Sequence, residues 1–462
     1  MFSQDLLTLA ISDAVLVLST SLCVPFAFAL QKRWINYYWT GMVIQHIYQT
    51  SVLVAAIIWT FNRKWPWVQS GFLILHSLVM IMKMHSYMTV NGHLQRSEMQ
   101  CEVVLEKLRQ AANSFGGWEA ASRDAIAHRQ EVEPATNVGV LSSEGTPAPG
   151  TPNVPEGSRS SYTDVATANA LRRRLAKVSQ TTEGILSVTD VRTEKTDAHE
   201  DNHFAPHVLV DHPDEQIAEL AREYSDLQSD LTSPGPLYVT WPHNITLKNF
   251  AVYQLIPTLV YEMEYPRTER IRPIYVFEKT VATFGTFVLL YTVTETFILP
   301  YTPTSNSSIL RLLLDLALPF MIAYLLLFFI IFECICNAFA ELSYFADRQF
   351  YEDWVSFKFE PTAFLVSRST TNFRWNSVSW DEFSRKWNKP VHAFLLRHVY
   401  APTILGYGVS KTWAMFLTFL LSACVHELVM VIVTKKFRFY LFILQVSLVS
   451  TEARGVPYLL NC

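Results

Sequence analysis

The stretch FLTFLLSACVHELVMVIVTKK, Phe416–Lys436, decides what kind of molecule this is. Apolar and small residues fill it as far as Val433, and two lysines close it. A helix needs about 20 such residues to cross the hydrocarbon of a bilayer. A titratable pair, His426-Glu427, interrupts the run near its middle. Placing an ionisable side chain at that depth is costly, so such a residue is a functional candidate by default. Imidazole also has an ordinary pKa close to neutrality, which suits a general base. The plainer alternative is a histidine that hydrogen-bonds a neighbouring helix and does no chemistry. Glu427 points about 100° away on a helix, which makes it an orienting or interhelical partner rather than half of a dyad.

Further runs of membrane length lie at Leu7–Leu30, Tyr38–Phe61, Val68–Val90, Thr280–Leu299 and Ile309–Phe332, with a shorter one at Phe437–Val449. The fold class expected is therefore an all-α polytopic membrane protein with five to seven spans. A transmembrane barrel is excluded because barrel strands alternate apolar and polar residues. Composition agrees: of 462 residues, 50% are hydrophobic and 17% charged, against about a quarter charged in soluble domains. A net charge of -4 with no dominant basic tract speaks against a nucleic-acid partner. The six cysteines stand at irregular positions without metal-ligand spacing and read as reduced. Met1-Phe-Ser-Gln-Asp has no basic region of the kind that opens a cleavable signal peptide. No P-loop or GxSxG pattern occurs, and His426-Glu427 is followed by Leu-Val-Met, without the second histidine that a zinc-binding HExxH site requires.

Between the third and fourth spans the chain is polar from Leu94 to about Gly235. Its centre, Glu131–Ser160, is rich in Pro, Gly, Ser, Thr and Glu and cannot bury enough apolar surface to fold alone. Helices are expected on either side of it, at Glu102–Asn113, Ser161–Lys177 and Asp214–Ser229. The segment Ile245–Lys279 mixes prolines and charges with apolar residues and reads as structured and membrane-hugging rather than spanning. This divides the chain into N-terminal membrane helices (1–91), a polar, partly disordered loop (92–244) and a membrane core (245–462). An Asn306-Ser307-Ser308 sequon sits in the joint between the two central spans.

Two more clusters could carry chemistry. In SRKWNKPVHAFLLRHVY, Ser384–Tyr400, Asn388 is a neutral donor and acceptor of the type that polarises a carbonyl. Spacing alone favours an interfacial helix, with Trp387, Phe394 and Tyr400 as an aromatic belt and Lys389, Arg397 and His398 meeting headgroups. His392 reads as structural. In YEMEYPRTERIR, Tyr261–Arg272, the arginines suit phosphates, those of lipid headgroups before those of a cofactor.

Five stretches in order carry a resemblance: LVMIMKMHSYMTVNG (Leu78–Gly92), PTLVYEMEYPRTERIR (Pro257–Arg272), SYFADRQFYEDW (Ser343–Trp354), WNKPVHAFLLRHVY (Trp387–Tyr400) and SACVHELVM (Ser422–Met430). Together they resemble the sterol O-acyltransferases, fungal type, of the membrane-bound O-acyltransferase (MBOAT) superfamily. The diacylglycerol acyltransferase branch shares the FYxDWWN, WNxPVH and HE motifs. The KMHSY and EYPRT wording is closer to the sterol branch. The resemblance implies an MBOAT fold of nine helices, multi-pass in the endoplasmic reticulum membrane, with His426 as catalytic base and Asn388 as second active-site residue. It implies acyl-CoA as co-substrate with no further cofactor and no metal, a sterol acceptor entering from membrane lipid, and a homo-oligomer. Tyr351, Asp353, Trp354 and Trp387 would shape the acyl-CoA entrance on the cytosolic side. A diacylglycerol acceptor and a catalytically inactive homologue are the alternatives.

The chain departs from that pattern in three places. Trp354 is followed by Val355 instead of the second Trp and Asn of FYxDWWN. Joining Trp354 to Trp375-Asn376 restores the motif as FYEDWWNSVSW, so Val355–Arg374 reads as an insertion. After Gln445 the chain gives VSLVSTEARGVPYLLNC where further membrane segments are expected. Both departures begin with Val-Ser, as an in-frame GT–AGT splice donor would be translated, so 355–374 and 446–462 are expected to be unspliced intron sequence. The first span also starts close to Met1, as if the fold were incomplete at both ends, and activity of this exact chain is then in question.

Overall fold

The computed structural model describes residues 5–137, 207–301, 309–351 and 380–455. The sequon, the expected helix at Ser161–Lys177 and the insertion at Val355–Arg374 lie outside the described residues. Twelve helical elements organise the described residues, with α1 Leu6–Gln31 and α2 Tyr37–Arg63 first. Then follow α3 Trp67–Ser114, α4 Trp118–Asn137, α5 Glu215–Asp230 and α6 Leu247–Leu255. The second half holds α7 Pro273–Tyr301, α8 Leu310–Leu342, α9 Trp380–Trp387 and α10 Lys389–Leu395. The last two are α11 Lys411–Thr434 and α12 Tyr440–Gly455. Helix α10 continues through a π-turn, Leu396–Tyr400, into a further helical piece, Ala401–Tyr407. Six of these elements (α1, α2, α3, α7, α8 and α11) are long and apolar enough to cross a membrane. Their outward faces carry large apolar side chains such as Phe284, Leu314 and Trp413, a surface suited to lipid rather than water.

The main departure from expectation is α3. The sequence suggested a span ending near Val90 and a separate helix at Glu102–Asn113, yet one helix of 48 residues runs through both. At 1.5 Å per residue it is about 72 Å long, more than twice the roughly 30 Å hydrocarbon thickness. Beyond Gly92 no Pro or Gly interrupts it, and Leu94, Cys101, Val104, Leu108 and Ala112 keep a buried stripe at helical spacing. That stripe explains why the polar region is not simply a loop. Leu108 and Ala112 pack with Ala121 and Ala125 of α4, Leu209 of a short 3-10 turn, and Ile217 and Ala221 of α5 in a separate small core. Helix α5 begins where its capping residue predicts, the Asp214 carboxylate accepting the Gln216 and Ile217 amides at 2.9 and 3.1 Å. Helix α4 was not expected.

The segment expected to lie along the membrane as far as Lys279 turns upward earlier. Pro273 occupies the first turn of α7, where its missing N–H costs nothing. Lys279 is buried within the span, its ammonium 2.8 Å from Glu333 of α8.

Helix α3 is the axis of the bundle, packed against α1, α2, α5 and α11. Its contact with the start of α2 depends on Gly92. A Cβ there would stand 2.1 Å from the Tyr37 ring, so only glycine lets that ring lie on the helix.

Candidate active site

The five ordered motifs converge on one another, with α3 as their common support. Buried Lys83 donates to the carbonyls of Tyr253, Gln254 and Ile256 at 2.8, 3.1 and 2.8 Å. These are carbonyls of the last turn of α6 and just beyond, which lack partners within the helix. Ser86 accepts the Tyr261 amide at 2.7 Å and lies 2.7 Å from Nε2 of His398 on the π-turn after α10. Asn91 accepts from Asn244, whose amide also donates to the Tyr261 hydroxyl. Burial pushes the Tyr261 and Tyr265 phenols up, so both stay neutral partners. His398 is therefore a buried link between α3 and α10, not the headgroup contact that spacing suggested.

The second and third motifs zip together in turn. The Thr268 amide donates to the Tyr344 carbonyl at 2.8 Å, and the Ala346 amide to the Pro266 carbonyl at 2.9 Å. Glu341, fully buried, accepts from the Arg272 guanidinium at 2.9 Å and from Arg348 at 2.5 Å. Arg272 thus meets a carboxylate of the chain itself rather than a headgroup, and that hydrogen bond holds its guanidinium pKa above the ordinary value. Arg397 similarly reaches Glu262 at 3.5 Å, and Lys389 reaches Gln349 at 3.3 Å.

Of the residues expected at an acyl-CoA entrance, Tyr351 and Trp387 come together. Tyr351 sets its ring edge-on to Phe328 with centroids 5.0 Å apart, and donates its hydroxyl to Glu333 at 3.0 Å. Trp387 stacks on Tyr324 at 4.9 Å and leans on the same Phe328 at 4.8 Å. Both therefore pack on one face of α8. Asp353 and Trp354 lie outside the described residues.

Asn388 breaks the chain between α9 and α10. Its side-chain oxygen caps α10 by accepting the Val391 amide at 3.2 Å. The cap engages only the acceptor half of the amide, and Nδ2 has no hydrogen-bond partner among the described residues. Lys389-Pro390 then places Pro in the first turn, where it suits a helix start.

His426 sits about two-thirds of the way along α11 with an exposed side chain. Its Nδ1 lies 3.1 Å from the Oε1 atom of Gln445 on α12 and 3.4 Å from the Ser422 hydroxyl one turn earlier. Gln445 Nε2 donates to that hydroxyl at 3.2 Å. No hydrogen bond joins His426 to Asn388 among the described residues. Glu427 is buried on another face, accepting the Phe439 and Phe442 amides at 2.8 and 3.3 Å. It is the interhelical partner that its position predicted, and it caps the first turn of α12. Beside it a pocket of about 310 Å³ opens between α11 and α12, with Met430, Lys436, Arg438 and Tyr440 in its wall. Sequence reasoning missed Gln445 and Ser422. The signal was a lone amide in the apolar run YLFILQ and a serine four residues before the histidine.

Comparison with known proteins supports the same grouping. Sterol O-acyltransferase 2 of Candida albicans is 31% identical over 461 residues, covering 96% of this chain and 62% of the relative. Probable sterol O-acyltransferase 1 of Schizosaccharomyces pombe is 30% identical over 445 residues, covering 94% and 65%. Diacylglycerol O-acyltransferase 1C of Glycine max is 30% identical over 219 residues, covering 46% and 38%. The chain thus spans about three fifths of the length of the sterol-type relatives it matches. The model of the MBOAT, membrane-bound O-acyltransferase family, matches residues 160–451, which contain four of the five motifs and the Ser422–His426–Gln445 group. On that match, and on a helical bundle that holds an imidazole within a membrane-length helix, the chain belongs to the membrane-bound O-acyltransferase family.

Proposed function

We propose that this chain carries the activity of an acyl-CoA:sterol O-acyltransferase of the endoplasmic reticulum membrane. The observation that carries the reading is the extent of similarity. Sterol O-acyltransferases match along 94–96% of the chain, whereas the diacylglycerol relative matches 46%.

In the proposed step the sterol 3β-hydroxyl oxygen attacks the thioester carbonyl of acyl-CoA. His426 accepts the hydroxyl proton as the C–O bond forms. The C–S bond then breaks, and the imidazolium returns the proton to the leaving CoA thiolate. Asn388 supplies its unengaged Nδ2 donor to the carbonyl oxygen as negative charge develops there, which has most effect in a site without water. Tyr351 and Trp387 form one wall of the acyl-CoA entrance. No acyl-enzyme is involved, and membrane lipid supplies the sterol.

The test is acyl transfer by membranes that contain this chain, offered a sterol and a diacylglycerol in parallel. Ester formed on the sterol and lost in His426→Ala, with protein level unchanged, is the result expected. A histidine variant that retains activity removes the base, and ester formed only on diacylglycerol replaces the acceptor. Transfer to neither alcohol, even with Val355–Arg374 removed, means an inactive homologue.

A further inference from the structure

We infer that Gln445 is the positioning residue that fixes which nitrogen of His426 carries the proton, an inference resting on the reading of His426 as base. A neutral imidazole has one protonated and one bare nitrogen, and only the bare one can take a substrate proton. Here Nδ1 faces two groups of the chain, Gln445 Oε1 at 3.1 Å and the Ser422 hydroxyl at 3.4 Å. Nε2 has no hydrogen-bond partner among the described residues, and the ring is exposed. A sterol hydroxyl can therefore reach Nε2 but not Nδ1.

An amide oxygen can only accept, so a ring nitrogen that bonds to it must carry the proton. Gln445 Nε2 is committed to the Ser422 hydroxyl at 3.2 Å, which turns Oε1 towards the imidazole. The Gln445–Ser422 bond thus orients the amide, the amide oxygen holds the proton on Nδ1, and the lone pair is left on Nε2. In hydrolytic triads a buried carboxylate does this work and also stabilises the imidazolium. A neutral amide gives the orientation without the charge, which suits an apolar site where a further carboxylate would be costly. The residue belongs to α12, so the readiness of the base depends on the docking of α12 against α11.

The experiment reads the tautomer directly and needs no turnover. The full chain, labelled with ¹⁵N-histidine and held in lipid nanodiscs, is compared with its His426→Asn variant to assign the His426 signals among 13 histidines. The expected spectrum has a protonated Nδ1 and a bare Nε2 at neutral pH. In Gln445→Leu, which keeps the side-chain bulk, both tautomers become populated, while Gln445→Glu restores the protonated Nδ1. Protonation on Nε2 in the unsubstituted chain overturns the proposal, as does an unaltered tautomer in Gln445→Leu. In the acyl-transfer assay Gln445→Leu should lower kcat roughly 10- to 100-fold with KM unchanged, less than the roughly 10²- to 10⁴-fold of a whole general base because the imidazole itself is kept. A loss in His426→Ala alone, with Gln445→Leu fully active, leaves the base in place and removes only the role of the glutamine.

Discussion

At the scale of single residues, the polar groups inside the bundle divide into those that hold the chain together and those left available. Lys83 belongs to the first kind. Two of its three carbonyl partners, those of Tyr253 and Ile256, are buried and the third is partly so, and each buried group left unsatisfied costs about 1–3 kcal/mol. Lys83→Met should therefore lower the midpoint of thermal unfolding in detergent and loosen the end of α6, which protease protection of the 253–272 region would detect. An unchanged midpoint would mean that water or another side chain takes over the carbonyls. Gly92 is the second such position. Gly92→Val sets a branched side chain into the Tyr37 ring, an overpacking worth about 1–3 kcal/mol or more. The double variant with Tyr37→Ala should recover part of the loss, and the absence of any recovery would disprove the contact. His426 and the Asn388 amide are of the second kind, each with one polar atom held by the chain and one left unused.

At the scale of elements, α11 and α12 form a hairpin tied by side chains of both helices. Glu427 holds the start of α12 through two backbone amides, and Gln445 lies farther along the same helix. Glu427→Gln keeps one acceptor and gives up the charge-assisted bond, while Glu427→Ala leaves both amides without partners. Hydrogen exchange at Phe439 and Phe442 should rise about 10-fold or more in Glu427→Ala and less in Glu427→Gln, a step of roughly 1.4 kcal/mol. Equal protection in all three proteins would show that the turn is held by other contacts. Helix α3 makes the complementary point. The residues of Glu102–Asn113 read as a separate helix of the polar loop, because polarity ends a membrane span in sequence. Polarity does not end a helix, and the stripe from Leu94 to Ala112 found a partner in α5. Nothing local to the sequence announces that partner, because it lies more than 100 residues away.

At the scale of the whole molecule, the motifs quoted from the sequence turn out to be one structure. Residues 83–91 hold 244–261, residues 266–268 pair with 344–346, and the Lys389 amide donates to the Phe350 carbonyl. A cut through any of these strings is felt by the next. The segment Val355–Arg374, read from the sequence as an insertion, falls in the chain between Tyr351 and Trp387, which share Phe328 as a neighbour. Removing it joins Trp354 to Trp375-Asn376. If the entrance is as proposed, acyl transfer should rise roughly 10-fold or more, since small misplacements of a positioning group cost up to about 10²-fold. The initial rate at fixed protein amount measures this, and a lower rate in the shortened chain would make the segment a working part. Helix α12 runs without a break from Tyr440 to Gly455, across the point after Gln445 where the family pattern was expected to end.

The sequence by itself determined the membrane helices, the residue types at the site and the family. Those properties reside in runs, compositions and ordered words, which a single chain displays without folding. Only the tertiary structure decided the polar partners. It sent Lys83 to carbonyls 170 residues away, Arg272 to Glu341, His398 to Ser86 and Gln445 to His426. The physical reason is that a buried polar group must be satisfied by whatever lies beside it in space. A sequence gives the group its need for a partner, and packing chooses the partner.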